Sequence, residues 1–146
     1  MHRSGGEAAL IASGASALGL GTDVGGSIRV PAHYCGNAGL KPTLGRVPTS
    51  GTFPPALGVV GTLYHVGPLA RYVEDLVLVL EVLSGPDGRD PRTGPAPLRS
   101  PLETDLRRLR IAYYSHNGHF PVTPETEQAV GAAGQAADAP PVTMSP

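Results

Sequence analysis

Residues 22–36 read TDVGGSIRVPAHYCG. Gly25 and Gly26 stand directly before a hydroxyl, Ser27, and Asp23 and Arg29 flank the three. Paired glycines let a backbone press close to another group, because no Cβ holds it away. The N–H groups of Val24, Gly25, Gly26 and Ser27 can then converge on one point. Such a cluster suits an oxyanion hole, whose donors sit ~3 Å from the developing negative oxygen. Ser27, at the end of the run, is placed to attack the carbonyl held there. The same residues also fit a plain Gly-rich turn in which Ser27 caps the helix after it.

Other Gly-rich chemistries fail on residue identity. No G-x-G-x-x-G occurs in the chain. The nearest approach to a phosphate loop runs from Gly21 to Gly26, but Ser27 stands where a Lys is required. Ser27 has no G-x-S-x-G elbow around it. Four histidines downstream could serve as a base. His33 lies six residues after Ser27 and faces away on a helix, His65 reads as a satisfied core or edge residue, and His119 as a solvated loop residue beside His116. Cys35, the single cysteine, reads as a small buried hydrophobe.

The elements that must position Ser27 follow from pattern. GEAALIASGASA (6–17) reads as a short helix of small residues, and ALGLGTD (17–23) as a buried strand or turn. Residues 28–35 form one or two helical turns, with Pro31 tolerated near their start. GLKPTLGRVPTSG (39–51) is loop with a possible strand, and TLYHVGPLA (62–70) is strand-like up to Gly67-Pro68. YVEDLVLVLEVLSG (72–85) is the clearest helix, with Glu74 and Asp75 in its first turn and Gly85 closing it. It is apolar nearly all round, which implies burial on most sides. Residues 86–105 form a Pro-rich connector, 109–115 (LRIAYYS) a strand, and Thr123-Pro124 opens a weak helix over 124–137. The tail is patternless and predicted to be disordered.

Composition narrows the class. The chain has 146 residues and a formal net charge of -1, which gives no electrostatic footprint for nucleic acid or an anionic membrane. One cysteine excludes an intrachain disulfide framework and a Cys-rich zinc site, and fits a reducing, cytoplasmic setting. Residues 8–21 have some look of a signal peptide, but Glu7 and scattered Gly and Ser dilute the apolar run. No stretch reaches the ~20 apolar residues of a membrane span. Lys41 is the only lysine.

The stretch SGGEAALIASGASALGLGTDVGGSIRVPAHYCGNAGLKPTLGRVPTSG (4–51) resembles the amidase signature family of serine hydrolases. GPLARYVEDLVLVLEVLSGPDGRDPR (67–92) and LRIAYYSHNGHFPVTPETEQAV (109–130) resemble the segments that come next in that family. The resemblance implies an α/β fold, a mixed twisted sheet flanked by helices, here incomplete at both ends. It divides the chain into a partial amidase domain (1–133) and a disordered tail (134–146). It also implies hydrolysis of a carboxamide through an acyl-serine, on a small-molecule amide substrate, with no metal or organic cofactor.

In that family a nucleophilic Ser, a bridging Ser in a cis peptide and a neutral Lys act together. Ser27 matches the nucleophile, and Val24, Gly25, Gly26 and Ser27 match the oxyanion-hole backbone. Asp23 and Arg29 match a charged pair that braces the loop. The match breaks at the other two members. The family's Gly-Gly-Ser-Ser-Gly-Gly run reads Met1-His2-Arg3-Ser4-Gly5-Gly6 here, so Arg3 stands at the bridging position and Ser4 at the second Ser. The family's Lys lies upstream of any residue present, and Lys41 matches a structural position. A frameshift, a rearrangement or a wrong gene model is expected to account for this better than a late start codon. An unassisted serine is a weak nucleophile, so the isolated chain is expected to have little or no activity. The alternative is a non-catalytic binding module that keeps the Gly-rich loop. Few partner strands are present, so exposed sheet edges are expected to favour association with another chain or self-association.

Overall fold

The computed structural model describes residues 4–53, 55, 58–95, 97–105 and 108–138. In chain order these form α1 (Gly5–Ala12), β1 (Leu18–Asp23), α2 (Arg29–Cys35), β2 (Ala38–Gly39), α3 (Gly58–Leu63), β3 (His65–Ala70), α4 (Val73–Leu83), a 3-10 turn (Pro101–Glu103) and α5 (Pro124–Ala136). They fall into two units, one ending at Leu98 and the other beginning at Arg99.

In the first unit a three-stranded sheet has the order β1-β3-β2, and both pairings are antiparallel. The α/β class and the flanking helices match the expectation from the resemblance, and the three strands described contribute only antiparallel pairings to it. β1 pairs along its whole length with β3, from Leu18 opposite Ala70 to Asp23 opposite His65. β3 does not end at Gly67-Pro68 as the sequence suggests, but runs through it. A proline in a central strand removes one ladder donor. Here the Leu40 N–H donates to the Pro68 carbonyl at 3.0 Å, and the return bond from Pro68 cannot form. That loss explains why β2 is only two residues long.

Helices α1 and α2 cover one face. Ala8 and Ile11 of α1, Ala32 of α2, Ile28 just before it and Leu69 of β3 make a single buried cluster, with half-buried Cys35 packed against it. β1 contributes Gly19 and Gly21 to that face rather than its leucines, which are about half-exposed on the other. The sequence reason lies in spacing: a Cβ on Gly21 would sit 2.5 Å from the Ser4 hydroxyl and 2.9 Å from Ile28 and Leu69 side chains. Within the run 17–23, β1 is thus a strand with glycine on its one buried face, and not a wholly buried apolar strand.

α4 packs against β3 and β2. Its buried Leu76 and Leu80 stay outside the α1–α2 cluster, and Val82 and Leu83 at its C-terminal end line one cavity together with Leu20, Thr22 and Val66. The burial expected on most sides of this helix is not supplied: Val73, Leu78 and Val82 are exposed. The helix ends at Ser84, whose N–H reaches the Leu80 carbonyl at 2.9 Å. α3 was not legible in the sequence, because GVVGTL combines glycine with β-branched residues that disfavour helix.

In the second unit, α5 starts as its sequence dictates. Thr123 is the N-cap and accepts from the Thr126 N–H, and Pro124 opens the helix. α5 runs to Ala136, into the expected tail, and residues 139–146 lie outside the described residues. The predicted strand at 109–115 is absent among the described residues, with only a single-residue bridge at Tyr113. Its alternation needs a neighbouring strand to pair with, and sequence pattern alone does not supply one.

Truncating Leu69→Ala, at a fully buried position between α1, α2 and the sheet, is expected to cost about 2–5 kcal/mol. A urea titration followed by circular dichroism reads this as a lower midpoint at unchanged slope.

Candidate active site

The site is built around a carboxylate that no solvent reaches. Asp23 ends β1 with its side chain wholly buried. Its Oδ1 accepts the Gly26 N–H at 2.7 Å and the Arg29 Nη2 at 2.9 Å. Its Oδ2 accepts the Ile28 N–H at 3.1 Å, the Arg29 N–H at 3.4 Å and the Arg29 Nε at 3.0 Å. Burial acts to push the carboxyl up, but the Arg29 guanidinium and the amides of Gly26, Ile28 and Arg29 outweigh it and hold it well below the usual carboxylate range. Asp23 in turn raises the Arg29 guanidinium.

This arrangement decides what Ser27 is free to do. A serine just before a helix ordinarily caps it. Here Ile28 occupies the cap position without a side-chain cap bond, and Asp23 takes the first-turn amides instead. The negative charge also sits at the positive end of α2. Ser27 is half-buried, and among the described residues its hydroxyl has no hydrogen-bond partner. The turn needs glycine at position 26, where φ is 111° and an added Cβ would meet Val30 Cγ2 at 2.9 Å. The Gly26 N–H is committed to Asp23. Among the described residues, the N–H groups of Val24, Gly25 and Ser27 donate to no acceptor. Val24 and Gly25 are exposed.

The remaining sequence candidates are spread out. Arg3 lies outside the described residues. Ser4 is 5% exposed and opens α1 without a side-chain cap bond. It lines a cavity of about 540 Å³ together with Thr22, Leu20, Ser50, Val66 and Val82. Among the described residues, Lys41 Nζ donates to the carbonyl of Pro42, at 3.5 Å. His33 is exposed and stacks edge-on against Tyr34, with ring centres 5.3 Å apart. His65 is buried, and its Nδ1–H donates to the Leu63 carbonyl at 2.7 Å. His116 and His119 belong to the second unit, where both lie in loop. No helix among the described residues is long and apolar enough to cross a membrane.

A second ionic clip escaped the sequence reading. Asp90 is buried, and its carboxylate accepts Arg92 Nε at 2.9 Å, the Thr49 N–H at 3.0 Å and the Thr49 hydroxyl at 2.8 Å. Arg92 Nη1 continues to the Gly61 carbonyl at 2.9 Å, tying α3 to the loop at 49. The Arg92 guanidinium, against the opposing effect of burial, holds Asp90 well below the usual carboxylate range with help from Thr49. Within the Pro-rich connector, the mostly exposed stretch 86–93 is thus anchored at buried Asp90. The available signal was PDGRDPR, where acidic and basic residues alternate at turn positions.

With this geometry in hand, the comparisons with known proteins are decisive. The Amidase family model matches residues 4–145. The chain belongs to the amidase family. It is 44% identical over 140 residues to fatty-acid amide hydrolase 1 of Sus scrofa, covering 90% of this chain and 24% of that protein. It is 44% identical over 115 residues to a glutamyl-tRNA(Gln) amidotransferase subunit of Archaeoglobus fulgidus, covering 79% of this chain and 24% of that one. A solved structure from a vestigial protein complex, tied to the origins of an s-triazine catabolic enzyme, superposes with a TM-score of 0.83 at 38% identity. The match covers 97% of this chain and 31% of that one. This amidase chain thus spans about a quarter of the length of the curated relatives it matches.

Replacing Asp23→Asn is expected to destabilise the first unit by about 2–3 kcal/mol, less than a fully buried pair because Arg29 is half-exposed. The folded-state pKa of Asp23 lies below its unfolded value. Its stabilisation is therefore complete above about pH 4 and is lost as pH falls further. Urea midpoints measured from about pH 7 to about pH 2.5 should fall more steeply for the parent than for Asp23→Asn, with the difference narrowing at the acid end.

Proposed function

We propose that this chain carries the nucleophile segment of an amidase that cleaves a carboxamide C–N bond through an acyl-serine. Ser27 is the nucleophile in this reading. Its Oγ adds to the carbonyl carbon, the amine leaves with a proton, and water later releases the acid. The uncommitted N–H groups of Val24, Gly25 and Ser27 would receive the oxyanion, while Gly26 shapes the turn and Asp23 with Arg29 holds it. No cofactor is needed for these steps. The observation that carries the reading is that Asp23, not Ser27, binds the first-turn amides of α2, which leaves the hydroxyl free beside three free N–H groups.

The base is the weak point. Lys41 is engaged with a backbone carbonyl, and the family's Ser–Lys partners match no described side chain. A serine without its base retains only the contribution of the oxyanion hole and binding, several orders of magnitude below a full set. We therefore propose that the 146-residue chain alone turns over amides slowly or not at all. Relatives are named for fatty-acid amides and for glutamyl-tRNA(Gln), and the substrate class proposed for this chain is a carboxamide.

A fluorophosphonate probe tests both parts. The expected result is slow labelling that rises with pH, maps by peptide mass spectrometry to Ser27, and vanishes in Ser27→Ala. Labelling that persists in Ser27→Ala would remove Ser27 from the nucleophile role. Labelling as fast as that of a full-length amidase would show that another base serves it.

A further inference from the structure

We propose that Asn117 is a self-modifying site, whose side-chain amide is converted to a carboxylate through a succinimide, with the surrounding loop supplying both a base and the oxyanion donors.

The chain has two asparagines, Asn37 and Asn117, in opposite settings. Asn37 is half-buried, is followed by Ala38, and its Nδ2 donates to the Ala8 carbonyl at 2.6 Å. Asn117 is exposed and is followed by Gly118, and its Nδ2 donates to no acceptor among the described residues. The backbone nitrogen after an asparagine can close a small ring on the side-chain carbonyl carbon. Glycine offers that nitrogen with no Cβ in the way, and Gly118 has a φ of 82°, a conformation open to glycine.

The stretch HNGHF (116–120) directs three groups at the reacting atoms. The Gly118 N–H donates to His116 Nδ1 at 2.9 Å. Asn117 Oδ1 accepts the His119 N–H at 3.0 Å and the Phe120 N–H at 2.9 Å. An amide nitrogen is a poor nucleophile because its lone pair is delocalised into the carbonyl. An imidazole nitrogen that already accepts its hydrogen bond is placed to take the proton as the nitrogen attacks. The two backbone donors on Oδ1 meet the oxygen on which charge develops when the carbon becomes tetrahedral.

The Gly118 nitrogen bonds to Asn117 Cγ, its proton passes to His116 Nδ1, and the negative charge collects on Oδ1. The Cγ–Nδ2 bond then breaks, and Nδ2 leaves as ammonia with the proton from His116. Water opens the succinimide at either of its carbonyls, leaving aspartate or isoaspartate at position 117. Nothing is oxidised or reduced, and one water is consumed for each ammonia released. The product adds one negative charge to a chain of formal net charge -1, in the loop that leads into α5. None of the groups around Ser27 takes part, so the site is independent of the amidase reading.

The test incubates the full 146-residue chain at neutral pH and follows both asparagines by peptide mass spectrometry. Asn117 should convert to a mixture of aspartate and isoaspartate while Asn37 stays intact. The folded chain should react at least ~10-fold faster than the same chain unfolded in guanidinium chloride, less than a sheltered base would give because the loop is open to water. His116→Ala, at an exposed position, should slow the folded chain by ~10-fold, and free imidazole added to that variant should restore the rate. A folded rate no higher than the unfolded one, equal conversion at Asn37, or a His116→Ala variant that reacts like the parent would overturn the proposal. A slowed variant that imidazole does not restore would make His116 a support for the loop's shape and overturn its role as the base.

Discussion

One buried carboxylate sets the geometry on which everything else at the site depends. Asp23 receives three backbone amides and two guanidinium nitrogens. A charge taken out of water is costly unless it is fully bonded, and here both oxygens are saturated. The carboxylate ties the end of β1 to the start of α2, and the residues between them have little freedom left. The turn at Gly25-Gly26 is the shape that remains when those bonds are made. Ser27 follows that turn and, among the described residues, keeps its hydroxyl and N–H uncommitted, because Asp23 already takes the amides at the helix start.

The Asp90–Arg92 clip applies the same physical device to a second loop. An acidic group is desolvated against a guanidinium and a threonine, and the backbone at residue 49 is held by it. The loop from Val47 to Thr52, anchored in this way, forms one wall of the cavity that Ser4 and Thr22 line from the other side. Two ion pairs thus fix loops that a larger apolar core would otherwise hold in place. The hydrophobic cluster itself is small, five side chains drawn from α1, α2, β3 and the residue before α2.

The thinness of that core and the exposure of β1 and α4 belong together. α4 is apolar around its circumference but buries only Leu76 and Leu80, and β1 turns leucines toward solvent while glycine faces the core. Among the described residues, β1 pairs on one edge alone and α4 leaves one apolar face exposed.

Much of the local structure was legible residue by residue. Thr123-Pro124 announced α5, Glu74 and Asp75 announced α4, and VGGS between Asp23 and Arg29 announced the turn of the candidate site, because caps, dipole partners and glycine turns act over a few residues. Long-range facts were not legible. Nothing local in GVVGTL marks a helix, since its carbonyl at Gly61 is held by Arg92, thirty-one residues on. Nothing in VGPLA says that Pro68 sits in a central strand, since only its register against Leu40 makes the missing N–H tolerable. The stretch LRIAYYS has the alternation of a strand and no partner to pair with among the described residues. The sequence by itself determined the chemistry available at Ser27 and the elements around it. The tertiary structure decided which amides remain free to use, because a hydrogen bond to a buried carboxylate depends on where the chain returns, and no spacing rule records that.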